Sequence, residues 1–276
     1  MTIAKLNQEG YKVTISCEAL GVSRSGYYKW LNRKPSNTQK RLENLMRQIQ
    51  EAYDHYQGIY GYRRITIYLN YFKRAKVNHK CVYHLMKQMG LKAIIRRQHY
   101  RYKKHSSQHI AENVLNREFN KVYKAMQVLL TDITEFKYGD SCKAYLSAIL
   151  DYGTGKIVAY QLSKRNDNKL VKDTFDQIEE YLIPGETLIH SDRGFQYTSN
   201  FFKKFINDKQ LIQSMPRVGK CIDNGSMENF WGIIKVEMYS LRSYENFDQL
   251  EKDIRQYVRF FNTERVTLKM GVRIPA

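Results

Sequence analysis

Apolar positions in this 276-residue chain follow two different periods, and the change between them falls near residue 126. In the first part they recur at steps of three and four, the spacing of a helix that buries one face. Ile15–Leu20 reads as a short helix, Gly21 as its left-handed stop, and Ser23 as the cap of a second helix through Trp30 and Leu31. After Pro35-Ser36 a longer helix is expected over Thr38–Tyr56, with Leu42, Leu45, Met46, Ile49 and Tyr53 on one stripe. Another helix follows Tyr60-Gly61-Tyr62 and runs to Phe72. Asn78 then caps one that turns Val82, Leu85, Met86 and Met89 inward and stops at Gly90. Both helix pairs have the form of a helix-turn-helix.

Beyond Met126 the period falls to two. Val128–Tyr138, Ala144–Tyr152 and Ile157–Leu162 predict three consecutive strands with short turns, hence an antiparallel meander. An amphipathic helix is expected over Lys169–Leu182, a buried strand over Thr187–Ser191, a helix over Asn200–Lys209 and a short strand over Leu211–Ser214. Glu228 then opens a helix, and a last one spans Phe247–Asn262. The boundaries drawn from this pattern are a first helical unit at 1–37, a second at 38–95, a linker at 96–125, an α/β body at 126–246 and a C-terminal helix and tail at 247–276.

Charge sharpens the division. The net charge is +19, and residues 1–110 hold 22 Lys and Arg against 5 Asp and Glu, whereas the remainder is almost balanced. Cations concentrated on one part of a chain suit a polyanion, because each neutralised phosphate releases counterions. Helix-turn-helix geometry puts Arg24, Ser25, Tyr28 and Lys29 at a DNA groove. In the linker, Arg96, Arg97, Arg101, Lys103 and Lys104 alternate with aromatic rings, a pattern that lies along phosphates while stacking on bases. Cys17, Cys81, Cys142 and Cys221 show no metal-finger spacing, no apolar run reaches membrane-spanning length, and the N-terminus has no signal-peptide core. The expected location is cytoplasmic and nucleoid-associated.

Three carboxylates carry the chemistry. Asp132 interrupts the apolar run of the first strand, Asp192 ends the fourth in His190-Ser191-Asp192-Arg193-Gly194, and Glu228 stands at the start of a helix. A buried acid is costly unless it is paired or binds a cation. Three converging hard-oxygen donors suit two Mg²⁺ ions, or Mn²⁺ in their place, and phosphoryl transfer. Lys235 follows Glu228 by two helical turns and shares its face. His190 is read as positioning its neighbours, Asp151 as turn chemistry at a Gly-rich hairpin, and Phe230 and Trp231 as core anchors.

The separation of Asp192 from Glu228 resembles the D,D(35)E signature of DDE transposases and retroviral integrases, and the element order βββαβαβα resembles an RNase H-like domain. Over nearly its whole length the chain resembles the second-frame transposases of the insertion-sequence "three" family. The match is carried by Thr131-Asp132-Ile133-Thr134, by His190 through Ser199, by Asp223 through Trp231, and by Tyr60-Gly61-Tyr62-Arg63-Arg64-Ile65 and Asn262-Thr263-Glu264-Arg265. The resemblance implies an RNase H-like integrase core behind small all-α helix-turn-helix units, with Asp132, Asp192 and Glu228 as the metal-binding catalytic triad. It implies Lys235 near the scissile DNA end. Arg63 and Arg64 are further candidate DNA contacts, as are Arg193, Gln196 and Tyr197, whose loop could instead be tied down by its own hydrogen bonds, and Asn224, which could instead cap its turn. Its partners would be double-stranded DNA at the element's terminal repeats and at the target, further copies of the chain, and a separate first-frame protein. A catalytically inactive DNA-binding regulator and an RNase H-type nuclease are the competing readings.

Overall fold

The computed structural model describes residues 2–95, 123–215 and 225–266. The second part is built on a five-stranded sheet. β1 (Val128–Tyr138), β2 (Cys142–Asp151) and β3 (Lys156–Ser163) form the antiparallel meander. β4 (Leu188–Ser191) and β5 (Ile212–Ser214) add in parallel on the other side of β1, in the order β3-β2-β1-β4-β5.

Alternation along β1 decides which layer each residue joins. Val128, Leu130 and Phe136 face α9 (Gly225–Glu237) and α10 (Phe247–Thr263) in one buried cluster, with Phe230, Trp231, Ile234, Leu250 and Ile254. Leu129 faces the opposite layer, packed with Val171 and Phe175 of α7 (Asn168–Phe175) and Phe202 and Ile206 of α8 (Asn200–Asp208). The body is therefore a sheet covered on both faces, with α10 part of it and not a separate appendage.

The helix expected over Lys169–Leu182 is shorter. α7 ends at Phe175, and Glu179–Tyr181 forms a 3₁₀ turn. The Thr174 hydroxyl donates back to the Leu170 carbonyl, which loosens the last turn. The Gln177 side chain then pairs with the backbone of Tyr160, donating to its carbonyl at 3.0 Å and accepting from its N–H at 3.3 Å. Leaving the helix lets this amide cover the open edge of β3.

The first part is helical. α2 (Val13–Ala19) and α3 (Arg24–Leu31) form the first helix pair, preceded by α1 (Thr2–Gln8), which the pattern did not reveal. Ser23 caps α3 through the Gly26 N–H, and Gly21 takes the left-handed turn at φ +64°. Their shared core is small: Ile3, Cys17 and Tyr27. α4 (Asn37–His55), α5 (Tyr62–Phe72) and α6 (His79–Gln88) enclose a larger one around Ile49, Ile65, Leu69 and Val82. That second core also contains Val266 from just beyond α10, so the two parts of the chain meet there.

Candidate active site

Register brings the first two carboxylates together. In the parallel pairing of β1 with β4, Thr131 lies opposite Ser191, so the next residues, Asp132 and Asp192, stand side by side. Neighbouring strands are about 4.8 Å apart, which places two like charges at close quarters. Both line a cleft of about 300 Å³ with Glu135, Tyr145, Asn166, Gly194, Phe195 and Gln196.

Each carboxylate is held by few donors. Asp132 Oδ1 accepts the Ile133 N–H at 2.7 Å, and Oδ2 accepts the indole Nε1–H of Trp231 at 3.0 Å. Asp192 Oδ1 accepts the Gly194 N–H at 2.9 Å. Burial first, then the charge of Asp192 and, more weakly, that of Glu228 push the Asp132 carboxyl well above the ordinary carboxylate range, against the pull of those two donors. Burial likewise raises Asp192, and it raises Glu228 in the first turn of α9. Glu228 thus lies within electrostatic reach of Asp132 but outside the cleft lining. Among the described residues, no three His, Cys, Asp or Glu side chains close into one ligand group. The expected convergence of three acids is met by two, with the third beside them.

Gly194 is required by space, not by its backbone angle. A Cβ there would lie 2.9 Å from Asp192 Oδ1 and 3.1 Å from Gln196 Oε1, while its φ is not in the left-handed region. What calls for glycine here is the close approach of its backbone to the carboxylate.

Several expected DNA contacts point inward. Tyr197 is fully buried, its hydroxyl 3.0 Å from Thr131 Oγ1, and burial keeps the phenol protonated. Gln196 is buried and donates to Asn166 Oδ1. Both support the cleft wall and do not present a DNA surface. Arg64 is turned onto Glu237 at 2.8 Å. Lys235 is half-buried with its ammonium 5.6 Å from the Phe136 ring centre, and burial lowers its pKa while Asp132 and Glu135 pull it upward, so it does lie beside the acids. Arg193 is half-buried and Arg63 is exposed against Tyr62. Arg24, Ser25, Tyr28 and Lys29 are exposed on α3. Arg96, Arg97, Arg101, Lys103, Lys104 and Asn224 lie outside the described residues.

The structure also fills in residues outside the expected triad and DNA contacts. Trp231 is a core anchor as expected, but its N–H also orients Asp132. Phe195 stands 59% exposed at the lip of the cleft. α6 turns Lys80, Tyr83, His84 and Lys87 to solvent, the complement of its buried Val82, Leu85 and Met86, and this face was legible from the inward stripe. His190 is buried with Nδ1 3.0 Å from Ser214 Oγ, tying β4 to β5. Asp151 accepts from the Gly153 N–H and the Thr154 hydroxyl within its own hairpin.

Trp231→Phe keeps an aromatic ring in the core, though a smaller one, and removes the donor to Asp132. A hydrogen bond to a charged group contributes about 1.5–3 kcal/mol, so the expected result is a further rise of the Asp132 pKa, visible as a pH–rate profile displaced to higher pH. An unchanged profile would mean that the indole only packs.

A mixed sheet in this order, an acid in the middle of the first strand beside one just past the end of the parallel fourth, and a third on a covering helix define an integrase-type RNase H-like core. Comparison with known families agrees: residues 122–221 and 228–273 match integrase core domain models, and residues 40–99 match an HTH-like domain. A transposase described for insertion sequence element IS150 of Escherichia coli, InsK, is 33% identical over 253 residues, covering 91% of this chain and 88% of that protein. The transposase InsF of insertion sequence IS3A, also from Escherichia coli, is 27% identical over 236 residues, 84% of this chain and 81% of the relative. Among solved structures, the HTLV-2 integrase catalytic core domain in complex with magnesium overlays with a TM-score of 0.40 at 19% identity, covering 54% of this chain and 94% of that one. The chain belongs to the insertion-sequence "three" family of transposases, enzymes with an integrase core.

Proposed function

We propose that this transposase cuts DNA at the ends of its insertion sequence and joins the freed 3′ ends to a new site by in-line phosphoryl transfer, with Asp132, Asp192 and Glu228 as its metal-binding carboxylates. The observation that carries the proposal is the side-by-side pair Asp132 and Asp192, both raised by burial and supported, among the described residues, by three hydrogen bonds between them.

The donor set fits a divalent cation such as Mg²⁺ or Mn²⁺. It is made of hard oxygens, it carries excess negative charge, and the two aspartates share one cleft. When bound, a pair of such cations supplies positive charge at the attacking and leaving oxygens. The rest falls to the chain itself. The Ile133 and Gly194 N–H groups and the Trp231 indole fix the carboxylate planes, so little reorganisation is left for the reaction. Lys235, on the face of α9 that carries Glu228, adds a cation beside the acids for the DNA backbone. No side chain is needed as a covalent nucleophile, since water attacks in the cut and the 3′-hydroxyl attacks in the joining step.

On this reading the units at 1–37 and 38–95 grip DNA, 96–125 connects them to the body, and further copies of the chain assemble on the two element ends, with a first-frame protein as an additional partner. Helix-turn-helix geometry makes α6 the groove-facing helix of the second unit. Lys80→Ala and Lys87→Ala should each weaken binding of duplex DNA about equally for all sequences and lower the salt slope by about one. An unchanged slope would remove α6 from the interface. The activity is tested with a labelled duplex carrying the element's terminal repeat: discrete nicking that needs Mg²⁺ or Mn²⁺ supports the proposal, and tight binding without nicking, alone and with the first-frame protein added, contradicts it.

A further inference from the structure

The second helical unit and the body are joined by a buried ionic cluster at the far end of the helix that carries Glu228. Glu237, the last residue of α9, receives four donors on two oxygens. Arg64 Nη1 at 2.8 Å and Arg265 Nη2 at 2.9 Å bind Oε1; Arg265 Nε at 2.9 Å and the Tyr257 hydroxyl at 2.8 Å bind Oε2. Arg64 comes from α5, Tyr257 from α10 and Arg265 from just beyond it. Beside them the Tyr60 hydroxyl accepts the Val266 N–H at 2.9 Å, and Arg64 lies over the Tyr60 ring at 5.3 Å.

A cluster of this kind is a weak source of net stability, since apolar side chains of equal volume serve as well or better. What it supplies is geometry, because every lone pair direction on Glu237 is taken and only one docking of α5 on α9 satisfies it. Burial alone would raise the Glu237 carboxyl, but Arg265 and Arg64 outweigh it and hold it below its usual range. A negative charge at a helix C-terminus opposes the helix dipole, so this glutamate is not explained by the helix itself.

The members are not equivalent. The Arg265 side chain is 4% exposed and binds Glu237 through two bonds, whereas the Arg64 side chain is 26% exposed and contributes one. The body can therefore keep the pair Glu237 and Arg265 without Arg64. We propose that Arg64 and Glu237 are positioning residues, a clasp through which the helix-turn-helix unit holds α9, and with it Glu228 and Lys235, in the register that cleavage needs. This rests on the reading of α9 as the active-site helix. It also removes Arg64 from the DNA interface, where its basic neighbours Arg63 and the exposed face of α6 remain.

The test uses the full chain with Arg64→Met, Arg64→Lys, Glu237→Gln and the combination of Arg64→Met with Glu237→Gln. Single-turnover cleavage of the terminal-repeat duplex, its Kd as a function of salt, and Tm are measured together. Expected for Arg64→Met is cleavage slower by about 10- to 100-fold, the cost of a displacement near 1 Å at a reacting centre, with Kd and salt slope unchanged. Arg64→Lys should recover part of the rate, since it keeps the charge and loses the planar fork. Arg64→Met should add little once Glu237→Gln is present. Weaker binding with a salt slope lower by about one would make Arg64 a phosphate contact and overturn the clasp, as would wild-type cleavage in Arg64→Met. Should the wild type itself show no metal-dependent cleavage, the functional reading has failed and not the clasp. Amide exchange over residues 225–237 then decides: faster in Arg64→Met supports the clasp, and unchanged exchange refutes it.

Discussion

Asp132→Asn is expected to lower metal-dependent cleavage of the terminal repeat by about 10³-fold or more while leaving DNA affinity within a factor of about two. The carboxylate lines a cleft of the α/β body, whereas the exposed cations of α3 and α6 belong to the helical units, so removing its charge leaves those cations in place. Asparagine keeps an oxygen for the Ile133 N–H or the Trp231 indole, and its volume matches, so the local packing survives. Glu228→Gln should behave the same way, because its influence on Asp132 is through charge. Electrophoretic measurement of nicked product beside a binding titration separates the two effects. Cleavage retained in both variants would remove these acids from the chemistry.

The second large effect is on stability. Asp132 and Asp192 are raised by burial, Asp132 also by its acidic neighbours, whereas Glu228 is exposed and solvent screens its smaller rise. In the folded state the aspartates hold protons that the unfolded chain has already released. Their contribution is therefore complete below the ordinary carboxylate pKa of about 4 and is lost as pH rises through the raised values. Without divalent cations, Tm should fall between about pH 4 and pH 7, from the ordinary carboxylate value up to the raised value of Asp132, and level off above it. Each pKa unit corresponds to about 1.4 kcal/mol, and about 1 kcal/mol moves Tm by about 2–4 °C for a chain of this size. Asp132→Asn, which removes the like charge, should melt several degrees higher than the wild type at pH 8 and show a flatter profile. Added Mg²⁺ or Mn²⁺ should raise the wild type and leave the variant nearly unmoved. Glu237 has the opposite sign, its contribution being lost only as pH falls below the carboxylate range, so it does not mask this window. A flat wild-type profile, or a variant less stable at pH 8, would show that the pair is not frustrated.

Much of the architecture was legible because periodicity reports burial directly. The change from helical to alternating pattern near Met126 located the sheet, and Asn78 and Ser23 marked helix starts that the backbone N–H bonds bear out. The adjacency of Asp132 and Asp192 could not be read from spacing; it follows from the parallel register of β1 and β4, which only the folded chain sets. Side-chain direction was the main loss. Gln196, Tyr197 and Arg64 are polar residues in basic or Gly-containing segments, where composition suggests a surface, yet Asn166, Thr131 and Glu237 partner them from distant sequence. Trp231 was assigned to packing, which it does, but a ring reveals nothing in sequence about what its N–H will meet. The end of α7 was missed because an edge strand, and not helix propensity, decided it.

Cutting alone does not distinguish a transposase from a nuclease of the same fold, so the decisive measurement is joining. A duplex ending in the terminal repeat, already carrying a free 3′-hydroxyl, is incubated with the purified chain, Mg²⁺ or Mn²⁺, and a supercoiled target plasmid, with the first-frame protein absent or present. Covalently joined products, lost with Asp132→Asn, are the predicted result. Hydrolysis of DNA or of an RNA–DNA hybrid with no joined product in either condition would contradict strand transfer and favour an RNase H-type nuclease, and binding with neither reaction would favour an inactive regulator.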